Sequence, residues 1–132
     1  MNNDIFVVDT MAFVLHLEKR KMPSKAKEIF EKAELNACKI LIPSMVLAEI
    51  AYLSEKNRIE TNLEEVEKYL QKFPNITIIL IDLKLTQKAF EISDIPELHD
   101  RLIAGAAYYF DFQIVTNDPK MENSTFVNTL WN

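Results

Sequence analysis

The sequence predicts an α/β fold in which a short, mostly parallel central sheet is flanked by helices on both faces, a three-layer α/β/α arrangement. Two observations predict it. Short runs rich in Ile, Leu and Val alternate along the chain with longer segments that carry apolar residues at helical spacing. These runs are apolar throughout, whereas strands with one solvated face alternate apolar and polar residues. Strands separated by helices pair in parallel through right-handed crossovers.

The first half of the chain contains two predicted strands and three predicted helices. Each strand is a short apolar run, and the helices carry apolar residues three and four positions apart. A Pro-Ser pair opens both the second and the third helix, which is a frequent helix start. In chain order, the elements are a strand at 4–8, a helix at 10–20, a helix at 24–35, a strand at 39–42 and a helix that begins at 44.

The second half of the chain continues the alternation. A Phe-Pro-Asn sequence ends the next helix, because the residue before a proline disfavours helical geometry. The run ITIILI that follows is the most β-branched in the chain, which is typical of a strand. The elements are a helix at 62–72, a strand at 76–81, helices at 85–92 and 99–110, a strand at 113–116 and a last strand near 125–130.

Length and composition exclude several classes of protein. With 48% hydrophobic and 27% charged residues, the chain is typical of one globular domain, which we expect to span residues 1–132. No apolar run is long enough to span a membrane, and the first ten residues lack the features of a secretory signal. The single cysteine, Cys38, excludes an internal disulfide and a cysteine-rich zinc site, and the single glycine, Gly105, argues against a phosphate-binding loop. We therefore expect a cytoplasmic protein.

The charge of the chain is unevenly distributed. The net charge of −5 disfavours nonspecific binding to nucleic acid, because the long-range field repels phosphate. Positive charge is nevertheless concentrated in one short segment, which is either a solvated helix end or a patch that contacts phosphate. This cationic cluster consists of Lys19, Arg20, Lys21, Lys25 and Lys27.

Acidic residues lie at or near the carboxyl ends of the predicted strands, where parallel α/β sheets bind their ligands. Asp9 follows the first strand, and Asp118 follows the strand at 113–116. Glu49 lies in the helix after the second strand, and Asp100 stands at the start of a later helix. Each aspartate also has a structural explanation, since Asp9 and Asp118 are suited to cap a helix and Asp100 to stabilise a helix dipole. Together, these four acids from distant segments can meet at one edge of the sheet.

Glu49 is the acid that a helix cap does not explain. The residues three and four positions away are all apolar, so an unpartnered carboxylate there is costly. Carboxylate ligands without cysteine suit Mg²⁺ or Mn²⁺, and one or two such ions can activate water for an in-line displacement at phosphorus. One alternative is a snorkelling or locally paired Glu49 side chain. We expect instead that a divalent cation, and no side chain, offsets the charge of Glu49. The apolar neighbours are Met45, Val46, Tyr52 and Leu53.

Four motifs, in this order and spacing, make the chain similar to the PIN-domain ribonucleases, and most of all to the VapC-type toxins of prokaryotic toxin–antitoxin pairs. They are FVVDTMAFVLHL, IPSMVLAEIAYL, ELHDRLIAGAAYYF and IVTNDPKM. The resemblance covers essentially the whole chain and implies a Mg²⁺- or Mn²⁺-dependent endoribonuclease. It also implies an RNA substrate, a cognate antitoxin that covers the acidic pocket, and a homodimer. The apolar, Tyr-bearing helices at 45–53 and 62–70 are candidate surfaces for that homodimer.

The resemblance assigns roles to individual residues. The family's hydroxyl residues correspond to Thr10 and Thr116, which would position carboxylates or the scissile phosphate. Arg101 either contacts phosphate or forms an ion pair with Glu97 at i,i+4 spacing. His99 is either structural or catalytic, and we do not assign it as a base, because a metal can supply hydroxide. The implied catalytic acids and metal ligands are Asp9, Glu49, Asp100 and Asp118.

Met11 departs from the family pattern, and it favours one of the two remaining alternatives and argues against the other. Family members often have Asn, Ser or His at that place, and methionine offers essentially no hydrogen bond. One alternative is a weakly active or degenerate PIN domain that binds RNA or a protein without cutting. The other is a different α/β phosphoryl enzyme, such as a small-molecule phosphatase, although the haloacid-dehalogenase pattern has an aspartate where this chain has Met11.

Overall fold

The central sheet has five strands, and every pair of neighbouring strands is parallel. The structure is a computed structural model that describes residues 4–132. The expectation that no secretory signal is present concerns in part residues 1–3, which lie outside the described residues. The order across the sheet is β3-β2-β1-β4-β5. The strands are β1 (Ile5–Val8), β2 (Lys39–Pro43), β3 (Ile76–Ile79), β4 (Gln113–Val115) and β5 (Thr129–Leu130).

Within residues 4–132, seven helices flank this sheet, and the predicted three-layer α/β/α class is confirmed. No helix in that part of the chain is long and apolar enough to cross a bilayer. The helices are α1 (Thr10–Leu17), α2 (Ser24–Glu34), α3 (Ser44–Glu55), α4 (Leu63–Lys72), α5 (Leu83–Ala89), α6 (Leu98–Phe110) and α7 (Pro119–Glu122).

Helix α1 ends earlier than the sequence predicts. The predicted helix at 10–20 stops at Leu17, because Lys19 adopts a left-handed backbone conformation with a φ of 55°. The Arg20 N–H then donates to the Leu15 carbonyl at 2.9 Å, which closes the last turn as in a Schellman motif. This motif usually contains glycine, so a lysine at that position gives no stop signal in the sequence.

The segment between β3 and α5 also differs from the prediction. The strand predicted at 76–81 ends with β3, and the Ile81 N–H donates instead to the Ser44 hydroxyl at 3.1 Å. The helix predicted at 85–92 begins and ends earlier, as α5, because the side chain of Asp82 caps its first turn. An N-cap sets the first residue of a helix independently of where its apolar residues begin.

The topology places a crevice next to the central strand. Val7 and Val8 of β1 and Ile114 and Val115 of β4 are fully buried, so the core surrounds these two strands. Along the chain, β1 is followed by β2 and β3 on one side, and then by β4 and β5 on the other. The strand order therefore reverses between β1 and β4, and the connections that leave the carboxyl ends of these two strands run in opposite directions. Open parallel sheets bind ligands in the crevice at such a point.

Candidate active site

Asp9 lies directly after β1, and two hydrogen bonds fix its carboxylate. Oδ1 accepts from the Ala12 N–H at 2.9 Å, so Asp9 is the N-cap of α1, as its capping explanation predicted. Oδ2 accepts from the hydroxyl of Thr116, which follows β4. Asp9 is only 8% exposed. The same carboxylate therefore caps a helix and joins the ends of two neighbouring strands.

The environment of Asp9 disfavours its charge. Burial raises the pKa of the Asp9 carboxyl from 3.8 to about 6. The negative charges of Asp118 and Asp100 raise it further, and the hydrogen bonds from Thr116 and the helix backbone oppose this rise. The acids from three separate segments are thus near enough to repel one another.

Thr116 connects β4 to two of the acids. It is 1% exposed, and its hydroxyl donates to Asp9 while it accepts from the Asp118 N–H at 3.0 Å. Asp118 in turn caps α7 by accepting from the Lys120 N–H at 2.9 Å. The cap expected from the Asp-Pro pair is confirmed, although the single helical turn that follows it was not predicted as an element.

Glu49 lies in the middle of α3 and has two side-chain partners. Its Oε1 accepts from the Thr10 hydroxyl, and its Oε2 lies 3.3 Å from Nδ1 of His99. The prediction that Glu49 has no side-chain partner was therefore wrong, and binding of a cation by Glu49 stays a prediction. Periodicity within α3 cannot reveal these partners, because they belong to α1 and α6.

The apolar residues on the same face as Glu49 do not all belong to the core. Tyr52 is 56% exposed, and Met45 and Leu53 are half-buried. In α3, the buried residues are Val46 and Ile50. The stripe around Glu49 instead forms part of the lining of a cleft.

Asp100 is the third residue of α6 and is not its cap. The cap is Glu97, whose Oε1 accepts from the Asp100 N–H at 2.8 Å. Burial raises the pKa of the Asp100 carboxyl to about 6, and the charges of Asp118, Glu97 and Glu49 raise it further. The Asp100 carboxylate is thus left free of a capping role and lies among the other acids.

One cleft of about 890 Å³ brings the four predicted acids together. Asp9, Glu49, Asp100 and Asp118 all line it, and so does Thr10. Thr116 is buried and reaches the site through its hydrogen bond to Asp9. Apolar side chains complete much of the lining, which the sequence did not predict as a group. They include Met11, Leu15, Met45, Tyr52, Leu53 and Trp131.

Arg101 lies outside the residues that line this cleft. Its Nε donates to the Ile95 carbonyl at 2.7 Å, and its guanidinium lies 4.8 Å from the centre of the Phe90 ring. The guanidinium is thus held at these two residues and not at Glu97, which caps α6. The structure does not bring Arg101 to the acids, and its contact with phosphate stays a prediction.

The chemistry of the acids fits Mg²⁺ or Mn²⁺, although the side chains are not drawn together into a metal centre. All four offer carboxylate oxygens, which hard cations prefer. A divalent cation would also relieve the repulsion that contributes to the raised pKa values of Asp9 and Asp100. Within residues 4–132, no three His, Cys, Asp or Glu side chains lie close enough to hold a metal ion. A cation would therefore contact some of these carboxylates directly and reach the others through water, as Mg²⁺ commonly does in proteins.

Comparison with known proteins identifies a family that matches most of the chain. The model of the PIN domain matches residues 6–126. Among solved structures, the chain is similar to VapBC2 from Rickettsia felis bound to a DNA fragment from their promoter, with 25% identity and a TM-score of 0.73 over 97% of this chain and 99% of that one.

Two further structures share the fold at lower identity. DNA-bound VapBC from Salmonella typhimurium has 23% identity and a TM-score of 0.70, covering 95% of this chain and 96% of that one. FitAcB from Neisseria gonorrhoeae has 15% identity and a TM-score of 0.63, covering 96% of each chain. Among curated proteins, none matches the chain. The match over residues 6–126, with the resemblance to VapC-type toxins that these structures support, shows that the chain belongs to the PIN domain family.

Proposed function

We propose that this chain is a Mg²⁺- or Mn²⁺-dependent endoribonuclease and the toxin of a toxin–antitoxin pair. The observation that carries the proposal is the convergence of Asp9, Glu49, Asp100 and Asp118 on one cleft at the carboxyl edge of the sheet. Membership of the PIN family and the similarity to VapBC structures support a nuclease toxin. The proposal goes beyond this support in naming RNA as the substrate and Mg²⁺ or Mn²⁺ as the metal.

The described residues have separate tasks in this proposal. Asp9, Asp100 and Glu49 would hold the cation directly or through water, and Asp118 would orient a second ion or a water bound to the cation. When bound, such a cation lowers the pKa of water and neutralises charge on the scissile phosphate. Thr116 keeps the Asp9 carboxylate in place through its buried hydroxyl.

The proposed partner is a cognate antitoxin that covers the acidic cleft. The similar structures include VapBC and FitAcB, which supports a partner protein. The cleft combines carboxylates with exposed apolar side chains such as Tyr52 and Met11, which are 56% and 42% exposed. Exposed apolar surface of this kind is typical of a site that a partner covers. The homodimer remains part of the proposal, with α3 and α4 as candidate contact surfaces.

The first test is cleavage of total RNA by the wild-type protein and by Asp9→Asn, each with Mg²⁺, with Mn²⁺ and with EDTA. The substitution keeps the shape of the side chain and removes one charge from the cleft. Asp82→Asn is a matched control, because Asp82 is also an aspartate N-cap, with a 3.0 Å hydrogen bond to the Leu85 N–H, but lies outside the cleft. We expect wild type and Asp82→Asn to cut discrete RNAs, and expect EDTA or Asp9→Asn to abolish cutting.

The alternative of a binding module has one observation in its favour. Met11 lines the cleft and offers no hydrogen bond to a ligand or carboxylate. Binding of Mn²⁺ by wild type without cleavage of any RNA would favour that alternative. Undiminished cutting by Asp9→Asn would instead show that the reaction takes place at another site.

A further inference from the structure

We infer that His99 is a positioning residue, which fixes the Glu49 carboxylate through its Nδ1 atom. The inference rests on the proposed function, because it assigns a task within the same cleft. His99 Nδ1 lies 3.3 Å from Oε2 of Glu49, and the two residues belong to different helices, α6 and α3. Both line the cleft. The contact between His99 and Glu49 therefore joins two walls of the cleft, formed by α6 and α3.

The contact gives the second oxygen of the Glu49 carboxylate a polar neighbour. Its Oε1 accepts from the Thr10 hydroxyl, which leaves Oε2 to face His99. A glutamate has three side-chain torsions, so a single hydrogen bond leaves the carboxylate free to swing about that contact. A polar neighbour at each oxygen restricts the plane of the carboxylate as well as its position. A carboxylate that must meet a cation or substrate benefits from such restriction, because functional geometry tolerates only small displacements.

Glu97 is the competing partner of His99, and the geometry favours Glu49. His99 Nδ1 lies 3.6 Å from Oε2 of Glu97, farther than from Glu49. The carboxylate of Glu97 is already engaged as the cap of α6, where it accepts from the Asp100 N–H at 2.8 Å. Glu97 also lies outside the lining of the cleft. The histidine is thus held beside Glu49 while its own helix is capped by another side chain.

The two histidines of the chain should have opposite tautomers. A neutral imidazole that donates to Glu49 through Nδ1 carries its proton on that nitrogen. His16 instead meets Glu34 through Nε2, at 2.6 Å. Nitrogen-15 NMR of the full chain in EDTA distinguishes the two tautomers of a neutral imidazole. The chain has only two histidines, so the spectrum of His99→Asn assigns both rings.

We expect the Nδ1–H tautomer for His99 in the wild-type protein and its loss in Glu49→Ala, with His16 unchanged in both. An Nε2–H tautomer for His99 in the wild type would overturn the inference. The inference would also be overturned if the tautomer of His99 were the same in Glu49→Ala as in the wild type. This readout does not require a substrate or a metal, so it tests the contact even if the proposed function fails.

Cleavage kinetics test whether the contact serves the reaction. Asn places its amide nitrogen near the position of Nδ1, whereas Gln places it near that of Nε2. We expect His99→Ala and His99→Gln to lower kcat by about 10-fold to 100-fold with little change in KM, a typical cost of losing an orienting contact. His99→Asn should recover most of that loss. Circular dichroism should show all three variants folded.

Each other outcome has a distinct meaning. If wild type cuts RNA and His99→Gln is as active as wild type, the inference is overturned while the proposed function stands. Recovery by Gln but not by Asn would also overturn it, because it would assign the task to Nε2. If wild type cuts no RNA under any condition, the proposed function fails, and the NMR measurement alone decides whether His99 holds Glu49.

Discussion

At the scale of single residues, Asp9 shows how a helix N-cap can also line a candidate active site. An aspartate at an N-cap normally keeps its carboxylate in water, but the hydroxyl of Thr116 and the surrounding core leave Asp9 only 8% exposed. Burial of a carboxylate favours its neutral form, and the nearby acids add to this effect. The folded protein thus retains a charge that costs stability at neutral pH, as is common at functional sites.

The stability of Asp9→Asn should therefore depend on pH. The folded-state pKa of Asp9 is about 6, above its ordinary 3.8, so the folded protein binds the proton more tightly than the unfolded chain. The ionised carboxylate then destabilises the fold above about pH 6, and this effect is relieved as the pH falls through that value. We expect Asp9→Asn to raise the free energy of unfolding by up to about 3 kcal/mol at pH 8, and by less at pH 4.5. Urea denaturation at both pH values measures the difference.

The same N-cap chemistry outside the cleft provides the control for this experiment. Asp82→Asn keeps a cap on α5 and lies on an exposed surface. If Asp82→Asn gave the same pH-dependent stabilisation as Asp9→Asn, burial among other acids would not be its cause.

Addition of a divalent cation should cancel most of the stability advantage that Asp9→Asn has over wild type at pH 8. A cation that binds only the folded state stabilises it by about 2.7 kcal/mol when its concentration is 100 times the Kd. Wild type should gain this stability from Mn²⁺ at pH 8, and Asp9→Asn should gain much less, because it lacks one carboxylate of the cleft. Thermal melts with Mn²⁺ and with EDTA measure the stability gained by each of the two proteins. Equal gains in the two proteins would show that the cation binds elsewhere.

At the scale of secondary-structure elements, the packing of α5 against α6 depends on the single glycine. An ideal Cβ atom built on Gly105 would lie 2.3 Å from the Cβ of Ala89 and 2.9 Å from its Cα. Both distances are shorter than real Cβ contacts, and the second atom belongs to backbone that cannot turn away. The two helices thus approach too closely for any other residue at position 105. Because α6 also carries Asp100, this contact contributes to the placement of the acid.

Gly105→Ala should accordingly destabilise the protein, although alanine is the better helix former. Overpacking typically costs about 1–3 kcal/mol, which exceeds the gain of about 1 kcal/mol in helix propensity. The double variant Gly105→Ala with Ala89→Gly removes the nearer contact and should recover part of the loss. Urea denaturation of the single and double variants gives the coupling free energy between positions 89 and 105. If Gly105→Ala were as stable as wild type, the two helices could move apart without loss of stability.

The limits of some elements could not be predicted from local sequence. The strand and helix order follows from hydrophobic periodicity, and the predicted order is confirmed except for the short helix α7, which was not predicted. The end of α1 at a left-handed lysine, Lys19, carries no local signal, because the Schellman bond depends on backbone that turns back. The start of α5 does carry a signal, Asp82, but the apolar spacing pointed to a later residue.

At the scale of the whole molecule, the four acids could be placed at one cleft from the sequence, and their partners could not. Parallel strands end at one edge of the sheet. Residues that follow these strands therefore lie near one another, independently of how the helices pack. The contact between His99 and Glu49 depends instead on how α6 is rotated against α3, which is decided by packing over the entire core. For the same reason the stacking of Arg101 on Phe90 was not predicted.

The distribution of charge over the molecule leads to the last prediction. The five residues of the cationic cluster are all exposed. Three of them directly follow α1, at the end opposite to Asp9, and Lys25 and Lys27 lie in the first turn of α2. An α-helix of eight residues is about 12 Å long, so a bound RNA strand can span the distance between the cleft and the cluster. The protein has a net charge of −5, which makes this cluster a local exception to a field that repels phosphate. We expect the cluster to contact RNA phosphates outside the cleft.

Salt dependence of RNA binding tests this contact, with Asp9→Asn as the background so that the RNA is not cut. Each phosphate neutralised on a single strand contributes about 0.7 to the slope of log K against log salt concentration. Replacement of Lys19, Lys21 and Lys25 by Gln should therefore lower that slope by up to about 2 and weaken binding at low salt. The matched control replaces the exposed Lys68, Lys72 and Lys84, which removes the same charge from other elements and should change the slope little. Equal slopes for the two triple variants would show that the cluster is only a solvated helix end, and that its charge acts through the net field alone.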